Sequence, residues 1–247
     1  MNRRPAVSFI VPVLDEASSL PALLDRLRSH ADASASPEHV ELIVADGGSV
    51  DGSAEIARAH GARVISSARG RARQMNAGAV VARGRLLAFL HADTVPGQGV
   101  MTALLGLAES GKPVWGRFDV RLSGSAPMFR VIEQMMNLRS RLSSVATGDQ
   151  LIFVSRDLFD AVGHYPDLPL MEDIAISKRL RGLQRGICRA ERVRTSSRRW
   201  EQHGIWPTIF LMWRLRWAYF IGVDPDLLLV RYQGLPRKTE LARDREP

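Results

Sequence analysis

The chain has 247 residues, of which 45% are hydrophobic and 24% charged, with a net charge of +8 and one cysteine. That length allows one large domain, and the composition excludes a disordered, collagen-like or repeat-built chain. The basic excess suits nucleotide phosphates or an anionic membrane surface, no compact basic arm argues for nucleic acid, and the lone Cys188 excludes an internal disulfide.

Arg3 and Arg4 precede an apolar run that holds Pro12 and meets Asp15 and Glu16 at once. That interruption predicts a first strand, Val7–Leu14, rather than a signal peptide. Ser18 or Ser19 can cap a following helix whose Leu20, Leu23, Leu24 and Leu27 form one buried stripe. After a polar loop over 32–38, Val40–Ala45 reads as strand two and ends at Asp46 and Gly47-Gly48-Ser49. Asp51-Gly-Ser53 opens a second helix with Ile56 and Ala59 inward. Ala62–Ser66 is a short third strand, and Arg69–Ala82 a helix with arginines early. The continuous apolar run of Arg85–His91 reads as a fourth strand buried on both faces, ending at Asp93 and a turn at Pro96-Gly97.

This alternation predicts an α/β fold with a mostly parallel, doubly wound sheet. Its strand ends bring Asp15/Glu16, Asp46 and Asp93 to one edge, where open α/β sheets bind ligands. Three unrelated helix caps would give the same pattern. Neither G-x-G-x-x-G nor a P-loop occurs, which disfavours a dinucleotide fold and a P-loop enzyme.

Beyond Pro96 the spacing predicts a helix over 99–110, a half-exposed strand over 114–122, and a helix over 127–142. That second helix is expected to bury Met128, Val131, Ile132, Met135 and Leu138 as core fillers. A strand at Leu151–Val154 and a short helix near Leu158–Val162 follow. Glu172 and Asp173 then open an amphipathic helix, where acids are favoured by the dipole or serve as a general base. Arg198-Arg199-Trp200 suits diphosphate charge and ring stacking, or is a solvated basic loop. The segment 205–223 is strongly apolar, but Arg214 and Arg216 interrupt both of its faces. It is expected as an interfacial helix, an oligomer contact or a helix under the site, not a transmembrane span. A polar tail follows over 237–247.

These stretches together resemble a family 2 glycosyltransferase of the GT-A nucleotide-sugar-binding fold, over about 7–232. Ser8–Glu16 is similar to that family's opening strand, and Val44–Gly52 to its V-D-D-G-S-x-D-G segment. His91-Ala92-Asp93 stands at its D-x-D, Glu172-Asp173 at its E-D, and Arg198–Trp200 at the R-W of Q-x-x-R-W. His91 and Ala45 depart from the pattern, each replacing an aspartate. The spellings Phe-Leu-His-Ala-Asp-Thr and Ser-x-Arg-Arg-Trp-Glu are similar to a subfamily of radical-SAM/selenodomain-associated transferases.

The resemblance implies a domain over 1–236 with a nucleotide-binding half to about residue 95 and an acceptor and catalytic half over 96–204. It implies that Pro12, Asp15 and Glu16 flank the nucleotide and that Asp46 contacts the base. Arg69, Arg73 and Asn76 would lie near the phosphates, and Ala92-Asp93 at a Mg²⁺ or Mn²⁺ ion held by Asp93. Asp173, beside Glu172, would be the catalytic base, Arg198 and Arg199 would neutralise diphosphate, and Trp200 would line the site. The implied reaction is inverting transfer from a nucleoside-diphosphate sugar, uracil first and guanine left open, to an unknown small-molecule or lipid acceptor. Cytoplasmic residence with peripheral contact at the inner membrane face is expected, and oligomerisation is open. The rivals are a degenerate nucleotide-binding or membrane-docking protein and, further off, a nucleotidyltransferase.

Overall fold

The computed structural model of the chain describes residues 4–33 and 39–234. The expected polar tail and the loop segment 34–38 lie outside the described residues. The first half alternates β1 (Val7–Val13), α1 (Leu20–Asp32), β2 (Val40–Asp46), α2 (Ser53–Ala59), β3 (Arg63–Ser66), α3 (Arg71–Val81) and β4 (Leu86–Phe89). Every residue of β1 and β4 is buried, and α1 buries the four predicted leucines against the sheet. In α2 the inward positions are Ser53 and Ala57, with Ile56 half-buried. Ala59, expected inward, is exposed because this short helix is rotated to pack Ala57 on the core.

The second half comprises β5 (Thr94–Pro96), α4 (Val100–Glu109), β6 (Trp115–Leu122), α5 (Pro127–Ser143), β7 (Ile152–Ser155), α6 (Arg156–Ala161), α7 (Glu172–Leu183) and β8 (Ile187–Thr195). Helices α8 (Arg198–His203), α9 (Ile205–Phe220) and α10 (Pro225–Gln233) follow. One sheet runs β3-β2-β1-β4-β7-β6-β8-β5. β1 to β4 pair in parallel, as do β6 and β8, while β7 runs antiparallel to both neighbours and β5 runs antiparallel to β8. The α/β class and its mostly parallel first half agree with the sequence reading.

Four local readings are corrected. The turn expected at Pro96 belongs to the strand β5. β6 is buried at six of its eight positions rather than alternating, because α5 covers one face of it. The apolar segment over 205–223 ends at Phe220: Gly222 adopts φ 88°, and Pro225 starts α10 in a new direction. The fourth concerns α5. Its buried residues are Phe129, Ile132, Glu133 and Ser140, while Val131, Met135 and Leu138 are exposed. The polar side chains are turned in because they bond the backbone of β6. Asn137 accepts from the Val120 N–H and donates to its carbonyl, at 2.9 and 3.1 Å, and Glu133 accepts from the Leu122 N–H. Buried backbone groups need partners, and that need outweighs the apolar stripe here.

Candidate active site

A cavity of about 830 Å³ opens at the carboxyl ends of β1 and β4. Of the residues singled out from sequence, Pro12, Glu16, Arg69, Arg73, Ala92, Asp93, Arg198, Arg199 and Trp200 line it. The others do not. Asp46 is buried and accepts the Gly48 and Ser49 N–H groups, tying its own turn. Asp15 accepts the Val50 N–H at 2.9 Å and so joins the β1 loop to the β2 loop. Asn76 is spent on Tyr165, donating to its carbonyl and accepting its N–H. Gln74, which the sequence reading passed over, lines the cavity and donates to the Val13 and Ala45 carbonyls at the ends of β1 and β2.

One wall is cationic. α3 starts at the cavity, with Gly70 at φ 133° and no acid in its first turn. Arg69, Arg71 and Arg73 crowd a helix N-terminus whose dipole already favours an anion. Arg73 pairs with the exposed Asp167 at 2.8 Å, and Arg71 with the buried Glu172 at 3.1 Å. Among the described residues Arg69 has no ion pair, so positive charge is left facing the cavity.

The opposite wall is carboxylate-rich. Asp93 follows β4, and burial raises its pKa, with Asp149 and Glu16 adding to the rise against His91 and Arg198. Asp149 comes from the turn Gly148–Gln150, a stretch that carried no legible signal. It lines the cavity and lies 3.6 Å from His91 Nδ1. Burial opposes charge on both partners. The contact outweighs it, lifting the His91 pKa and lowering that of Asp149. His91, at the position of the missing aspartate, thus carries a second aspartate beside it.

Glu172 and Asp173 sit behind this wall rather than on it. Asp173 accepts the Gly148 N–H at 2.9 Å and the Ile174 N–H at 2.7 Å. Glu172 is fully buried, and burial, with Asp173, raises its pKa against the pull of Arg71. Asp15, Leu151 and Met171 hold left-handed φ values of 54°, 49° and 68° on the loops around these groups. Such backbone costs on the order of 1–3 kcal/mol each and collects at functional sites.

The Arg198–Trp200 segment reaches the cavity because β5 pairs with β8. Thr94 stands opposite Thr195, their hydroxyls 2.8 Å apart, and the Ser196 N–H donates to the Asp93 carbonyl. The chain that leaves β8 therefore starts α8 beside Asp93. Arg199 donates to the Tyr232 carbonyl and lies 3.6 Å from that ring's centroid, so α10 fixes one arginine of the pair. Arg139 and Arg216 stand near Asp149 and Asp173. Burial, with Arg216, pulls the Arg139 pKa down to about 10, and among the described residues its Nε and Nη2 have no hydrogen-bond partner.

Among the described residues no group of three or more His, Cys, Asp or Glu side chains is placed to hold a metal ion. The donors present nevertheless suit a hard divalent cation that takes one or two protein carboxylates and completes its shell with phosphate oxygens and water. The burial and neighbouring negative charge that raise the Asp93 pKa would be offset by such a cation.

A parallel βα half that ends in a carboxylate wall, facing a cationic helix start across one cleft, is an α/β architecture of the GT-A type. The chain belongs to glycosyl transferase family 2, whose model matches residues 8–165. No curated protein matches the chain. Among solved structures it is similar to S. aureus TarS 1-349 in complex with UDP (TM-score 0.60, 17% identity, 77% of this chain and 60% of that one). It is also similar to the mannosyltransferase PcManGT from Pyrobaculum calidifontis in complex with GDP-Man and Mn²⁺ (0.60, 19%, 87% and 61%). A third is glucosyl-3-phosphoglycerate synthase from Mycobacterium tuberculosis with Mn²⁺, UDP and phosphoglyceric acid (0.55, 21%, 76% and 68%). At these identities the likeness establishes the fold. The chain spans about 60% of the TarS 1-349 chain.

Proposed function

We propose that the protein is an inverting glycosyltransferase that takes a sugar from a nucleoside-diphosphate donor, UDP-linked in the first instance, to an acceptor hydroxyl. The observation that carries this reading is the single cleft in which Glu16 and Asp93 face the arginines of α3 and α8. Arg69, Arg71, Arg198 and Arg199 would neutralise the diphosphate, and Asp93 would hold the metal. The metal, when bound, offsets charge on the departing diphosphate. The neighbours crystallised with UDP or GDP-Man, two of them with Mn²⁺, are consistent with that donor class. Within the family, the Phe-Leu-His-Ala-Asp-Thr spelling supports assignment to the radical-SAM/selenodomain-associated subfamily.

The transfer is one displacement. The acceptor oxygen bonds to the anomeric carbon as the carbon–oxygen bond to diphosphate breaks, and the nucleoside diphosphate leaves with the electron pair. The acceptor proton passes to a carboxylate, and the E-D motif supports Asp173 in that role. One observation favours a second assignment. Both Asp173 oxygens accept backbone N–H groups, whereas Asp149 lines the cavity. Asp149 is then the proton acceptor, and Asp173 holds its turn.

The test of the function is a thermal-shift panel of UDP, GDP, CDP, ADP and TDP, each with and without Mn²⁺. A shift specific to one nucleotide and dependent on metal is expected. No shift with any nucleotide would turn the reading to a degenerate member of the family without transferase activity.

A further inference from the structure

α9 presents two apolar sides. Leu215 and Ala218 are buried against Leu228 of α10. On the other side Trp206, Phe210, Trp213, Trp217 and Phe220 follow one another at i, i+4, i+7, i+11 and i+14. That is one stripe of the helix, and these five residues are between 58% and 72% exposed. α5 packs on the start of α9 through Ile132, Met136 and Ile209. It too leaves an apolar row uncovered, Met135 and Leu138 included, each more than half exposed. Scattered exposed apolar residues are ordinary in a soluble protein, but a continuous aromatic stripe beside a second apolar row is not.

The exposed charge beside this surface is cationic. Of the five arginines of α5 and α9, Arg214 is exposed next to the stripe, whereas Arg130 pairs with Glu133, Arg141 with Asp119, and Arg139 and Arg216 stand near Asp149 and Asp173. Glu133, the one acid of the two helices, is buried and also accepts the Leu122 N–H. At the far end of α9 the Lys178 ammonium lies 4.9 Å from the Tyr219 ring centroid and 5.8 Å from that of Phe220. α10 is mixed, with the exposed Asp226 and Arg231. No helix is long and apolar enough to cross a membrane among the described residues.

We propose that α5 and α9 form a docking surface for an anionic bilayer, on which the aromatic stripe of α9 enters the headgroup region while the exposed Arg214 and Lys178 meet lipid phosphates. Tryptophan and phenylalanine on one face with arginine beside them are the composition such interfaces take, and each basic residue near the surface adds attraction. A second copy is the poorer occupant. A two-fold pairing of this face would bury the exposed cations Arg214 and Lys178 of both copies with no exposed acid of α5 or α9 to pair them. Helices that carry this surface also line the cavity, through Met136 of α5 and Met212 of α9. An acceptor carried in the bilayer would thus meet the cleft at its rim, a consequence that rests on the proposed transferase reading, whereas the docking does not.

The test is co-sedimentation of the full chain with phosphatidylcholine vesicles with and without phosphatidylglycerol, at low and high salt, with tryptophan emission recorded. The expected result is binding to the anionic vesicles, weakened by salt, with a blue shift of the emission. Trp213→Ser/Trp217→Ser is expected to lose the blue shift and most of the binding, and Arg214→Glu to weaken the partition by about tenfold or more. Both changes lie on exposed positions, and the melting temperature and nucleotide-dependent thermal shift of each variant check that fold and cleft survive. No binding of the parent at low salt, binding by the double variant equal to the parent's, or a parent dimer by equilibrium sedimentation that the double variant abolishes would overturn the proposal. Nucleotide shifts absent from a parent that binds vesicles would instead count against the transferase reading alone.

Discussion

The carboxylate of Asp173 accepts the Gly148 N–H at 2.9 Å, so the acid of the E-D motif holds the turn that carries Asp149 into the cleft. The two aspartates are therefore one unit, and single substitutions separate their parts. Loss of a general base costs typically about 10²- to 10⁴-fold in rate. Asp173→Asn and Asp149→Asn are both expected to lose that much turnover while binding donor within a few-fold of the parent. Single-turnover kinetics and calorimetry check this. A pH–rate profile distinguishes them: the acid limb, along which the rate rises as the proton acceptor ionises, vanishes for the variant lacking that acceptor, and is retained, at lower rate, for the variant lacking the positioning residue. Unchanged turnover in both would sink the carboxylate mechanism.

Gly148 is required by a close approach. A Cβ there would lie 2.2 Å from His91 Nε2. Gly148→Ala is expected to destabilise by about 1–3 kcal/mol, the range for overpacking, and to impair turnover by displacing Asp149. His91→Ala removes the obstruction. In a thermal double-mutant cycle the pair is expected to couple by more than about 0.5 kcal/mol, with the double variant more stable than the sum predicts. Strict additivity would show that the two do not meet.

Much of the nucleotide half was legible because one physical rule governed it. β1 and β4 are buried on both faces, so their runs are apolar apart from Ser8 and their ends meet the cleft. Glu16 and Asp93, which that rule places after the strand ends, both line the cavity. Asp46 obeys it too, yet turns its carboxylate to the Gly48 and Ser49 N–H groups, a contact that strand patterning does not encode. Asp149 was invisible, since it lies in a short turn whose place depends on a bond to Asp173, 24 residues on. The arginine wall was half visible. Arg69 and Arg73 stood out as charge at a helix start, but Arg71 was read past, because its partner Glu172 is remote in the chain.

The inward turn of polar residues on α5 makes a stability prediction opposite to that of hydropathy. Glu133→Ala leaves the buried Leu122 N–H without its acceptor, which costs about 1–3 kcal/mol. Leu138→Gln, on the exposed row, is expected within about 0.5 kcal/mol of the parent. Urea denaturation of both variants checks the order. A larger loss for Leu138→Gln would restore the apolar stripe to the core and overturn this orientation of α5.

Glu172 gives the fold a pH dependence. Burial, with Asp173 beside it, raises its pKa although Arg71 opposes the shift, and among the described residues its Oε2 has no hydrogen-bond partner. Between the ordinary glutamate value, about 4.3, and the raised native value, folding takes up a proton. Stability is then greatest at the bottom of that window and falls as pH rises through it. Glu172→Gln is neutral throughout, so its stability is expected to fall less than the parent's across the same window. Denaturant midpoints from about pH 5 to pH 8 measure the difference, and parallel curves for parent and variant would remove Glu172 as its source.

Asp93 is the carboxylate through which a metal would couple to the donor. No cluster of three protein ligands is in place among the described residues, and an ion held by Asp93 would complete its shell with diphosphate oxygens and water. Metal and nucleotide then bind each other's site, and by linkage each raises the affinity for the other by the same factor. The parent is expected to bind UDP more tightly with Mn²⁺ than without, and Mn²⁺ more tightly with UDP than without, by equal ratios. Asp93→Ala is expected to bring both ratios close to one while leaving metal-free UDP binding, which rests on the arginines of α3 and α8, within a few-fold of the parent. The Asp93 carboxyl also sits among Asp149 and Glu16, so removing it relieves repulsion, and the variant is expected to melt no lower than the parent. Titration calorimetry in both orders measures the ratios. A variant that keeps the parent's coupling would show that Asp93 does not hold the ion, and would turn attention to Asp149 as the carboxylate that replaces the aspartate missing at His91.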